Sequence, residues 1–119
     1  CMAYLERMVA MGVDAIEPLE APPYGDVDLK EAKRRVGGRL ALSGNIPSQD
    51  FNRLRPDEVR ALVKQTIAIA APGGGFSLRT TGGHANVTGD LEPAVLKTVV
   101  ANVEAYVEAG LEFGRYPIR

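Results

Sequence analysis

Cysteine occurs once in this sequence, at position 1, and histidine once, at position 84. A single thiol makes no internal disulfide, which excludes a secreted disulfide scaffold. An excess of charge is also missing: 14 basic residues stand against 15 acidic ones, a net −1. That balance gives no electrostatic reason to expect nucleic acid or an anionic membrane surface as partner. No apolar run approaches the roughly 18 residues that read as a membrane span. A charged-then-apolar leader with a small-residue cleavage site is lacking as well, so the expected location is the cytoplasm. The first residue is Cys rather than Met, which leads to the expectation that further protein, a domain or half-domain, lies upstream.

What the chain does contain is enough apolar material for a core, 45 % of 119 residues, arranged in a repeating pattern. Met2, Leu5, Met8 and Val9 have the three-to-four spacing of an amphipathic helix over 2–11, stopped by Gly12. Residues 13–17 read as a short strand. Three prolines and a glycine over 18–26 predict an irregular loop after it. Asp28 and Glu31 have the spacing of a reciprocal cap for a helix over 28–36. A second strand over 39–43 leads into the turn Gly44-Asn45-Ile46-Pro47-Ser48. Pro56, Asp57 and Glu58 open a third helix whose apolar face carries Val59, Leu62, Val63, Thr66, Ile67 and Ala70. Gly73-Gly74-Gly75 precedes a third strand over 76–80. It opens no helix and is followed by no Lys-Ser or Lys-Thr, so it reads as a linker rather than a phosphate loop. Thr81-Gly82-Gly83-His84-Ala85-Asn86 is a glycine-rich loop. The last helix is expected over 93–109 with Leu96, Val99, Val100, Val103 and Val107 as its core stripe, Gly110 as its cap and an irregular packing segment over 111–119.

Helix and strand alternate with about 25–35 residues per unit, the pattern of parallel strands joined by right-handed helical crossovers. The fold class is α/β. Three strands are too few for a doubly wound domain, which usually has about five. A (β/α)8 TIM barrel needs roughly 200–250 residues, of which this chain supplies about the last three βα units. The expected architecture is therefore a C-terminal barrel fragment whose strands expose an apolar face unless another chain, or the N-terminal part of the barrel, covers it.

Three stretches resemble the uroporphyrinogen decarboxylase superfamily, which holds porphyrinogen decarboxylases and zinc-dependent methyltransferases of corrinoid and coenzyme M chemistry. Met11-Gly12-Val13-Asp14-Ala15-Ile16 is similar to the family's entry to its sixth strand. Asp28-Leu29-Lys30-Glu31-Ala32-Lys33-Arg34, followed by Gly38-Arg39-Leu40-Ala41-Leu42-Ser43-Gly44-Asn45-Ile46, resembles its helix and the motif after its seventh strand. Gly83-His84 is similar to the glycine–histidine run after its eighth. The resemblance spans nearly the whole chain and implies a (β/α)8 barrel, a small-molecule substrate and decarboxylase or methyltransferase activity. Departures are informative. Pro18-Leu19-Glu20 stands where the decarboxylases carry an aspartate segment, and Ala85 where they carry a glycine. Thr80-Thr81-Gly82-Gly83 holds no cysteine where the methyltransferases place a zinc ligand. The resemblance thus implies a reaction without cofactor. Zinc is the alternative, with its ligands mostly outside this chain.

In a βα barrel the loops after the strands form the active-site face, which singles out Glu17, Glu20, Ser43, Asn45, Arg79, Thr81 and His84. His84, with an ordinary pKa near 6.5, is available as acid, base or donor, and the resemblance makes it the catalytic candidate. The alternative is an exposed loop histidine. Glu17 and Glu20 are either a carboxylate pair at one mouth or solvated loop acids. Asn45 suits a turn that bonds its own backbone, or a cleft role. Arg79, within an otherwise apolar strand, either binds a substrate carboxylate or pairs with an acid such as Glu17. The second reading of the whole is a non-catalytic α/β module that self-associates or binds a partner.

Overall fold

A computed structural model describes residues 1–82 and 91–118. After a 3-10 turn at Met2–Tyr4 come α1 (Leu5–Ala10), β1 (Ala15–Leu19), α2 (Leu29–Val36) and β2 (Ala41–Pro47). A second 3-10 turn, Ser48–Asn52, precedes α3 (Pro56–Ala70), β3 (Phe76–Thr81) and α4 (Pro93–Phe113). The three strands form one parallel sheet in the order β1-β2-β3, with Leu42 beside Phe76 and Ala15 beside Ala41. The α/β reading and the alternation of helix and strand are those expected.

Side chains from alternate strand positions explain where the core lies. Ile16, Leu19 and Leu42, with Phe76 at the boundary, join a cluster with Leu5 of α1, Leu29, Ala32 and Val36 of α2 and Ala70 of α3. Ile46, Leu78 and again Phe76 join a second cluster with Val59, Val63 and Ile67 of α3 and Ala109 of α4. The intervening strand residues, Glu17, Ser43, Asn45, Ser77 and Arg79, belong to neither cluster. Among the described residues, then, the helices lie on one face of the sheet. The molecule is accordingly thin, 48 × 30 × 19 Å. The open face is small and polar rather than apolar as expected. Its outer-strand residues Glu17, Ser77 and Arg79 are exposed, while Ser43 on the central strand is buried.

Several boundaries differ from the sequence reading, each for a physical reason. β1 continues through Pro18, because an edge strand tolerates a residue with no N–H to donate. The register between β1 and β2 shifts between Ile16 and Leu19. β2 runs on through Gly44, Asn45, Ile46 and Pro47, which had the composition of a turn. Central hydrogen bonding to both neighbours overrides that local preference. Gly44 has φ +154, and a Cβ there would sit 2.7 Å from the Leu19 carbonyl oxygen, so only glycine lets β1 and β2 approach here. Asp28 caps α2, its Oδ1 accepting from the Glu31 N–H at 3.0 Å. The Glu31 carboxylate does not complete the reciprocal cap and instead accepts from Arg34. Gly110 does not end α4. The helix passes it, and the missing side chain leaves room for Leu78. The tail is a packing segment, with Ile118 against the second cluster and the Tyr116 hydroxyl donating to the Ala71 carbonyl at 2.8 Å.

The largest difference concerns α4. Its buried residues are Val99, Asn102 and Ala109. Leu96, Val100, Val103 and Val107, expected in the core, are 39–50 % exposed. Asn102 is fully buried, and its Nδ2 donates to the carbonyls of Phe51 at 2.9 Å and Leu54 at 2.6 Å. It thereby satisfies two backbone acceptors of the turn after β2. Asn102→Ala leaves both unpaired and is expected to cost roughly 2 kcal/mol or more in chemical denaturation. A loss under about 0.5 kcal/mol would show that water replaces the amide without penalty.

α1 is held to α2 by Glu6, whose carboxylate accepts from Arg35 Nε at 2.6 Å. That hydrogen bond, helped by the Arg35 charge, lowers the Glu6 pKa from 4.5 to about 2. A lowered folded-state pKa means the contribution is complete above pH 4.5 and lost as pH falls toward about 2. Glu6→Gln should therefore remove a part of the stability that is present at neutral pH and vanishes in that acid window. Identical pH–stability curves for the variant and the parent protein would refute the coupling.

Candidate functional site

The open sheet face gathers most of the residues singled out by sequence. Glu17 projects from β1, Ser43 and Asn45 from β2, and Arg79 from β3. Register places Arg79 beside Asn45 and Ser77 beside Ser43. Glu17 follows Ile16, the partner of Leu42. Arg79 Nη1 donates to Glu17 Oε1. Because the two residues stand on the outer strands, two inter-strand steps or about 10 Å apart, their side chains meet over β2. Both are about half exposed. This is the structural bridge that was one of two readings of Arg79. Arg79 is not buried in an apolar strand, because β3 alternates, with Ser77 and Arg79 exposed and Phe76 and Leu78 turned to the helices.

On the central strand Ser43 is 7 % exposed, and its Oγ has no hydrogen-bond partner among the described residues. Asn45 does not bond its own backbone; its Nδ2 donates to the Leu19 carbonyl at 3.1 Å, across to β1. That bond ties the outer strand down where the Gly44 approach is closest. Behind Arg79, the Tyr106 hydroxyl donates to the Leu78 carbonyl at 3.4 Å. Burial raises the Tyr106 pKa, opposed by the nearby Arg79 cation.

The remaining candidates divide. Thr81 ends β3 beside Pro47 and is 2 % exposed, so it borders the site without opening to it. Glu20 lies just past β1, its carbonyl accepting from the Val27 N–H at 3.0 Å and its Cβ against Gly25. The carboxylate of Glu17 is engaged by Arg79, not paired with that of Glu20. His84 lies outside the described residues. Ser77 was not singled out, although counting two back from Arg79 places it on the same face. Among the described residues no group of three or more His, Cys, Asp or Glu side chains is placed to hold a metal ion. No helix among the described residues is long and apolar enough to cross a membrane.

Chemically the face offers a guanidinium that takes a carboxylate in its own fold, a neutral amide, and a hydroxyl without a partner. No protein-family model matches this chain, and no curated protein sequence matches it. Geometry therefore carries the functional argument. Ser43→Ala removes a buried, unpaired hydroxyl, so stability is expected to stay level or rise by up to about 1 kcal/mol in urea denaturation. A fall of that size would mean the hydroxyl has a partner in the folded chain.

Proposed function

We propose that the chain is the C-terminal portion of a uroporphyrinogen decarboxylase-like (β/α)8 barrel, about its last three βα units, acting on a small carboxylate-bearing molecule in the cytoplasm. The observation that carries this reading is the Arg79–Glu17 bridge on a sheet face that no described helix covers. In a barrel that face is the interior, and its C-terminal end is the mouth of the site. Glu17 occupies Arg79 as a substrate carboxylate would, so a ligand enters by exchange, one carboxylate replacing another on a planar, bidentate donor. Asn45 and Ser43 then supply neutral polar contacts at the central strand, with Glu20 and Thr81 at the rim.

In the decarboxylase form of this proposal, the carbon–carbon bond to a carboxylate breaks, CO2 leaves, and the electron pair stays on the adjacent carbon. Fixed cationic and polar groups stabilise that charge. A proton must then reach the carbon, and His84 is the residue assigned to deliver it. The Gly83-His84 run, similar to that of the decarboxylases, supports this form over the methyltransferase form, whose zinc-ligand position holds no cysteine in this sequence.

Titration of the chain with succinate or citrate, followed by amide chemical shifts, tests the carboxylate site. Shifts are expected along β1, β2 and β3, centred on Asn45 and Arg79. Arg79→Ala should abolish them, and Arg79→Lys should weaken binding about tenfold through loss of the bidentate fork. Glu17→Gln should tighten binding, since the competing internal carboxylate is gone. Equal binding by Arg79→Ala and the parent protein would overturn the site.

A further inference from the structure

The Arg79–Glu17 bridge constrains the whole ligand as well as its carboxylate. Among the residues of the three strands, Glu17 and Arg79 are the charged ones. Ser43, Asn45 and Ser77, on the same face, are neutral. The strands of the face therefore hold one cation and one anion, and their charges sum to zero. Both partners are about half exposed. Water reaches each of them when they separate, so the pair opens at little cost.

A ligand that offers a carboxylate alone satisfies half of this arrangement. It takes Arg79 and releases Glu17, and the two carboxylates then lie close together, because they compete for one guanidinium. Like charges held at short range repel. A dicarboxylate brings a further negative charge to the same place. A ligand with a carboxylate and an ammonium satisfies both ends, and the charge of the face stays at zero. Pairing both poles of the right ligand, while leaving an unpaired charge beside a wrong one, is how a charged site discriminates.

We propose that the substrate of this site carries an amino-acid head group, its carboxylate on Arg79 and its ammonium on Glu17. The inference rests on the carboxylate reading above and narrows it. Glu17 is then a specificity-determining residue as well as an internal competitor. The two side chains meet directly over β2, so the charges they bind must be close together, and an α-amino acid presents both from a single carbon. An ion-paired carboxylate is stabilised in the ground state and loses that pairing on becoming CO2. The head is therefore an anchor, and the bond that reacts lies farther along the ligand.

Amide chemical shifts followed during titration with L-alanine and with propionate test the inference. The two share one carbon skeleton and differ by the ammonium. In the parent chain L-alanine should bind about threefold tighter than propionate, the range of an exposed ion pair. In Glu17→Gln propionate should tighten, since its competitor is gone. The advantage of L-alanine should fall to parity or below, because its ammonium then faces the Arg79 cation alone. The thermal melt of this variant should match the parent, because Glu17 is half exposed. Propionate binding as tightly as L-alanine in the parent chain overturns the inference, and so does an advantage that survives Glu17→Gln. Either result leaves the carboxylate site standing when Arg79→Ala abolishes propionate binding. No shifts from either ligand, or shifts that persist in Arg79→Ala, overturn the carboxylate site and this inference with it.

Discussion

A three-stranded parallel sheet with helices on one side must satisfy two opposite demands at its central strand. β2 hydrogen-bonds to both neighbours, and its Leu42 and Ile46 are buried to within 1 % against the helices. Both apolar clusters meet along this strand and share Phe76 beside it. Parallel sheets are ordinarily covered on both faces, and their strands then read as continuous apolar runs. Here Ser43 and Asn45, between Leu42 and Ile46, are polar, and the exposed Arg79 and Glu17 of the neighbouring strands meet on the same face, so the chemistry of the molecule collects there.

The site is held by backbone approach more than by side-chain packing. Gly44 lets the Leu19 carbonyl come closer than any other residue type would allow, and Asn45 then donates to that same carbonyl. These two adjacent residues fix the position of β1 where Glu17 leaves it. The bridge from Arg79 adds little to stability, since an exposed ion pair is solvated in either state. Its significance is positional. It shows that the spacing of the outer strands matches the reach of a guanidinium and a carboxylate across β2.

α4 illustrates how a helix with two apolar sides chooses its inward face. A fully buried asparagine wins a place that an aliphatic stripe gives up. Asn102 closes two carbonyls of the 48–54 turn, a buried one at Phe51 and a part-buried one at Leu54. Leaving valines exposed costs less than leaving backbone acceptors unpaired. Tilting the helix to place Asn102 inward turns Leu96, Val100, Val103 and Val107 out. Phe113 completes the packed side, with Arg60 and Lys64 lying over its ring at 4.8 and 5.2 Å.

The alternation of strands and helices, the parallel topology, the caps at Asp28 and Pro56 and the turn at Gly73-Gly74-Gly75 were all legible in the amino-acid order. They rest on interactions within a few residues, such as apolar period, missing N–H groups and backbone freedom, and those are written locally. Most of the sheet-face cluster was legible too, because strand alternation and βα topology assign residues to one end and one side. What only the tertiary structure decided depends on partners far apart in the chain. It extended β2 through a turn-like Gly44-Asn45, because neighbours on both sides supplied hydrogen bonds. It brought Arg79 to Glu17, 62 residues away, a pairing that the order of residues left open beside a free guanidinium. It also reversed the faces of α4, since no helical period reveals that Asn102 must reach Phe51 and Leu54.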